Sequence, residues 1–141
     1  MRSARLKLQP RVDVRGRVHV ERGVRVSAAP GARIVLEDGC RLGEGCRIEA
    51  DGGTVRVGPG ARIGERAMLV AVAGIELGSG CDVGSWAIIA DADPAFADGP
   101  AVTRVGDGAR IGMHAAVLAG ATVAPGDVVQ PYETRAPRRS A

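Results

Sequence analysis

A beat of six residues runs through most of this chain, and few folds accommodate it. Val57, Ile63 and Leu69 stand six apart, as do Leu77, Val83 and Ile89, and then Val105, Ile111, Val117, Val123 and Val129. Small residues follow four positions after most of these: Ala61, Ala67, Cys81, Ala87, Ala109 and Ala115. A period of six fits neither a 3.6-residue helix nor a simple alternating strand. It does fit a short strand plus a corner, repeated, with three hexads closing one triangular turn. The apolar residue then points inward, the small residue packs near the axis, and glycine takes corners where φ is positive. The spacing therefore predicts an all-β parallel β-helix whose coils stack at about 4.8 Å. Coil starts at Val20, Leu36, Val57, Leu77, Val105 and Val123 give roughly five turns, each resting on the next.

Composition agrees with a narrow, uniform core. The chain is 45% hydrophobic with 21 Gly, yet has one Trp, one Tyr and one Phe, so Val, Ile, Leu, Ala and Cys must fill the interior. At 141 residues it makes one domain. We place that domain at 1–133, with a long loop at 90–104 and a short, flexible basic tail at 134–141. The net charge of +3 would permit a basic patch, but base-stacking modules need aromatic platforms that this chain lacks, which argues against nucleic acid. Cys40, Cys46 and Cys81 have no CxxC spacing, and neither a signal sequence nor a membrane-length apolar run is evident. The reading is a reduced, cytoplasmic protein with no membrane span. On the stacking arithmetic, Cys40 and Cys81 share a ladder with Val24, Ala61 and Ala109. They lie about 9.6 Å apart, beyond disulfide reach, and act as space-fillers. A second ladder reads Arg25, Arg41, Arg62, Asp82 and Arg110, either a solvated charged face or a wall facing an anion or a subunit.

Segments such as VGPGARIGERAML, LGSGCDVGSWAII and VGDGARIGMHAAVLAGATVAPGDVV resemble the hexapeptide-repeat acyltransferases over roughly residues 20 to 130. The resemblance implies a left-handed parallel β-helix and a homotrimer with clefts between neighbouring prisms. It further implies acetyl-CoA as acyl donor and a small acceptor, such as a sugar, carrying a hydroxyl or amine. In the sugar and xenobiotic branch a loop leaves the prism near this chain's long interval and carries the general-base histidine in or beside it. The matching residues here are Asp91, Ala92, Asp93 and Pro94, so the histidine is missing. The chain's QPYETRAPRRSA ending matches the family's Pro-Tyr in Pro131 and Tyr132 but lacks the Gly-Asn that follows; Arg135, Arg138 and Arg139 are candidates for CoA phosphates or simply a basic tail.

Acyl transfer needs a base that takes the acceptor's proton. Asp93 is one candidate, provided that Asp91 and Asp98 nearby raise its proton affinity; the same Asp-Ala-Asp-Pro run is also a turn opener. His114 is the other, on one outward ladder with Trp86, Arg66 and Gly45. Trp86, Asp91 and Phe96 are assigned to the acceptor. Arg110 and the turns at Gly112 and Gly120 are assigned to the cofactor, the glycines through backbone N–H groups near the thioester oxygen. His19 is read as surface, and two histidines are too few for a three-imidazole zinc site, so no metal is expected. The alternative to an enzyme is a degenerate β-helix acting as a structural or assembly protein.

Overall fold

A computed structural model describes residues 10–92 and 101–137. Among these, eighteen short strands, β1 to β18 in chain order, are the only regular elements. They form three parallel six-stranded sheets, the faces of a triangular prism. The first face stacks β1 (Val12–Val14), β4 (Arg33–Leu36), β7 (Thr54–Val57), β10 (Gly74–Leu77), β13 (Thr103–Val105) and β16 (Thr122–Val123). The second stacks β2 (His19–Val20), β5 (Arg41–Leu42), β8 (Arg62–Ile63), β11 (Asp82–Val83), β14 (Arg110–Ile111) and β17 (Val128–Val129). The third stacks β3 (Arg25–Ala28), β6 (Arg47–Ala50), β9 (Met68–Ala71), β12 (Ile88–Ala90), β15 (Ala116–Leu118) and β18 (Thr134–Arg135). This is the left-handed β-helix of the hexapeptide-repeat kind, in six coils.

Register corrects the coil count. Val14, not Val20, heads the first coil: Val14 pairs with Leu36, whereas Val20 lies on the second face against Leu42. The hexads run unbroken across the second and third faces, and every insertion falls at the corner between the third face and the first. Val26 and Leu36 are ten positions apart, Ile48 and Val57 nine, Leu69 and Leu77 eight, and Ile89 and Val105 sixteen, while Val117 and Val123 are the basic six. The charged ladder is corrected likewise. His19, Arg41, Arg62, Asp82 and Arg110 align on the second face, while Arg25 belongs to the third face opposite Arg47. Val18 rather than Val24 precedes Cys40, since the His19 N–H donates to the Cys40 carbonyl and the Arg25 N–H to that of Cys46. The last strand takes in Thr134 and Arg135, so the prism runs past 133. Arg135 pairs internally with Asp127 and Glu133 and is not a free cofactor contact.

The inward rows make a continuous dry core from Leu36, Leu42 and Ile48 through Val57, Ile63 and Leu69 to Val105, Ile111 and Val117. Each such side chain contributes about 1.5–3 kcal/mol by burial. Glycine is demanded in two rows for different reasons. At the corner between the first and second faces Gly16, Gly39, Gly60, Gly80, Gly108 and Gly126 all have φ between 65° and 79°. Gly43, Gly64, Gly84 and Gly112 have ordinary φ, but a Cβ on any of them would lie 2.4–2.7 Å from the backbone of the next coil.

Cys40, Cys46 and Cys81 are buried free thiols, with Ala61 on the rung between Cys40 and Cys81. Burial, which disfavours the thiolate, pushes Cys40 up to about 11 and Cys46 and Cys81 up to about 12. The folded protein is therefore expected to leave all three thiols unmodified by a disulfide reagent at pH 8 and to release three equivalents once unfolded. Fast labelling of any one in the native protein would show that the core opens.

Candidate functional site

The corner between the second and third faces also requires a left-handed backbone in every coil, but it is filled differently. Gly23 and Gly45 take it in the first two coils at φ 77° and 69°. Arg66, Trp86, His114 and Tyr132 take it in the next four, at φ 57°, 63°, 57° and 65°. Such a conformation costs a side-chain-bearing residue about 1 kcal/mol or more, and strain of this kind concentrates at functional sites. At the first corner the sequence supplies glycine in all six coils, and among the described residues only Ala119, at φ 50°, takes a left-handed turn elsewhere with neither glycine nor a planar group. Four exposed, planar groups in succession therefore need a reason beyond folding.

Geometry makes them one column. The Arg66 guanidinium carbon lies 5.5 Å from the Trp86 ring centre. The rings of Trp86 and His114 are 6.0 Å apart and 2° from parallel, and those of His114 and Tyr132 are 5.0 Å apart and 4° from parallel. The corner N–H groups of Trp86, His114 and Tyr132 donate to the carbonyls of Glu65, Ser85 and Met113, fixing the rungs one coil apart. His114 is thus held by ring faces on both sides. Among the described residues its ring nitrogens have no hydrogen-bond partner, and the unprotonated one is the atom able to take a proton.

Other expected site residues are placed differently. Asp91 is fully buried, and its carboxylate accepts hydrogen bonds from the N–H groups of Val72, Ala73 and Gly74 at 2.7, 2.6 and 2.5 Å. It is a structural clamp, with no face left for an acceptor. The Gly112 N–H donates to the Val129 carbonyl at 2.8 Å and the Gly120 N–H to Thr103 Oγ1 at 2.9 Å. Neither is available to a thioester oxygen. Arg110 is exposed on the second face, beside Asp82 in register. Asp93 and Phe96 lie outside the described residues.

Within one chain the column and the root of the long excursion stand at different edges of the third face. Trp86 stands where β12 begins, and the chain leaves the prism after β12 has crossed the third face, at its far edge. The prism edge bearing His114 is convex. A groove of about 470 Å³ on the second face, lined by Arg41, Arg62, Glu44 and Glu65 among others, reaches only Glu65 and Ser85 at the column's base and does not include His114. Sequence reasoning missed Tyr132 as the last rung. The signal was present, since Tyr132 follows His114 by eighteen residues, three uninterrupted hexads.

No protein-family model matches the chain, and no curated protein does. Among solved structures it is similar to a hexapeptide transferase family protein from Anaplasma phagocytophilum, with 18% identity, 89% of this chain and 79% of that chain covered, and a TM-score of 0.36. It is also similar to a Bacillus cereus protein assigned as an acetyltransferase, with 15% identity, coverage of 86% and 77%, and a TM-score of 0.30.

The third face supplies a further feature. Its outward residues in the third to fifth coils are Met68, Val70, Ile88, Ala90, Ala116 and Leu118, all apolar, with Ile88 42% exposed. The matching rows of the other faces carry charge: Arg56, Glu76 and Arg104 on the first, Arg62, Asp82 and Arg110 on the second. No group of three metal-ligating side chains occurs among the described residues, and none of them forms a helix long and apolar enough to cross a membrane.

Proposed function

We propose that this protein is a cytoplasmic acyltransferase that moves an acetyl group from acetyl-CoA to a hydroxyl or amine of a small acceptor such as a sugar, with His114 as general base. The observation that carries this reading is the imidazole held between two parallel rings at a strained corner, with its nitrogens unengaged. In the reaction His114 takes the proton of the acceptor as its oxygen or nitrogen bonds to the thioester carbonyl carbon. The carbon–sulfur bond then breaks, and the imidazolium returns the proton to the departing thiolate. Trp86 flanks the base and offers the acceptor its exposed ring edge, and Arg110 remains the candidate for a CoA phosphate.

A convex edge is not a pocket, and small-molecule sites are concave. We therefore assign the missing wall to a second copy, in a homotrimer that buries the apolar stretch of the third face. Asp93 as an alternative base and Phe96 as an acceptor contact are retained from the sequence.

Calorimetric titration of acetyl-CoA at low salt, with mass measured by light scattering on the same sample, tests the reading. Saturable binding of one cofactor per chain on a trimer is the expected result. A folded trimer that binds none overturns the acetyltransferase assignment in favour of a degenerate scaffold, a reading favoured by the occupied N–H groups of Gly112 and Gly120.

A further inference from the structure

The column of planar groups ends abruptly. Each rung from Arg66 to His114 has the next coil's group against it, but Tyr132 is in the last coil, and its outer face meets no ring or cation among the described residues. It is 71% exposed, the most of any large apolar side chain described. We propose that this face is a stacking platform for a purine ring, which takes the next rung of the column. The proposal rests on three facts together. The conformation at Tyr132 is one that glycine meets without strain, with φ 65°. Its inner face is already stacked within 4° of parallel on His114, so the ring is held rigidly and loses little freedom on binding. The surface offered is flat, π-rich and without a charged group in contact, which selects a planar heteroaromatic ring over a saturated or ionic group.

This deepens the reading of an acyl-CoA enzyme, for a purine is the one planar ring that such a donor carries, and it puts that ring two rungs beyond His114. A single platform takes a single ring, so it does not imply nucleic-acid binding. The site makes no use of the thioester, and the two claims separate in experiment.

Tyr132 is the chain's one tyrosine, so its ring protons give one assignable pair of NMR signals, Hδ and Hε, of which the Hε signal is followed. Titration of the intact protein with adenosine is expected to move that signal upfield and to saturate, with uridine, the smaller ring, binding more weakly. Tyr132→Phe should retain binding, with the shift read on the new ring. Tyr132→Gly should keep the fold, since glycine suits the corner, and weaken adenosine binding at least fivefold, the lower end for loss of one stacked base. An unmoved Tyr132 signal at saturating adenosine, or undiminished binding by Tyr132→Gly, overturns the proposal. Unfolding of Tyr132→Gly would show a structural role for the ring, and adenosine binding by Tyr132→Phe then decides alone. Adenosine binding without acetyl transfer would sink the enzymatic reading and leave the platform standing.

Discussion

The His114→Ala protein is expected to keep its coils, its oligomeric state and its cofactor affinity, yet to transfer acyl groups at least about a hundredfold more slowly. That is the lower end of what a positioned general base contributes. Survival of the fold follows from where the side chain sits. His114 is exposed and stacks on Trp86 and Tyr132, while the neighbouring Ala115 and Ile111 do the packing inside the prism. The backbone bond from the His114 N–H to the Ser85 carbonyl is unaffected by the substitution. The single Trp86 loses its stacking partner, so its fluorescence should change in the same variant and confirm that the column has been cut. Asp93→Asn is the companion measurement. Slow turnover in His114→Ala with normal turnover in Asp93→Asn assigns the base to the column; the opposite pattern assigns it to the excursion. Normal turnover in both removes the two assignments at once.

The prism was legible because its determinant is local and repeated. Every hexad carries its own inward residue and corner, so Val57, Ile63 and Leu69 declare three faces without reference to anything distant. What the period does not say is which face a hexad lies on once residues are inserted at a corner. The four extra residues between Val26 and Leu36 therefore moved Val20 onto the wrong face and put Arg25 at the head of the wrong ladder. Where insertions are absent the arithmetic holds, and Trp86 and His114 fall on one ladder as the spacing requires. Tyr132 belonged to that ladder by the same count, but beside Pro131 it was matched instead to the Pro-Tyr of the family's closing segment.

The site was less legible because its exclusions are long-range. That the N–H groups of Gly112 and Gly120 are engaged depends on partners seventeen residues away, Val129 and Thr103. That the column and the root of the excursion lie on opposite edges of the third face depends on the direction in which β12 crosses it. A run such as Asp-Ala-Asp-Pro shows carboxylates close together in sequence, and nothing in it says that the first has turned inward.

Asp91→Ala is expected to cost the fold about 2–6 kcal/mol, a large share of the 5–15 kcal/mol typical of a domain. The carboxylate accepts three successive backbone N–H groups, from Val72, Ala73 and Gly74, at the corner where the third coil passes into the fourth. Alanine removes all three acceptors together. Gly74 is buried, Ala73 half-buried and Val72 exposed, so water can recover the last but not the first. Leaving such donors unmet costs about 1–3 kcal/mol each, which sets the range above. Asp91→Asn should recover only part, because its amide offers one oxygen and turns an N–H group toward donors. The effect is read from urea unfolding at fixed protein concentration, since an oligomer's stability varies with it. Hydrogen exchange supplies the local signature. In a solenoid each coil contacts only its neighbours, so protection should fall first at Val72, Ala73 and Gly74. It should fall next at Ala101, whose N–H donates to the Asp91 carbonyl and closes the neck of the excursion. A loss below about 1 kcal/mol would show that the three amides find other partners, and that this buried carboxylate is held for something other than the fold.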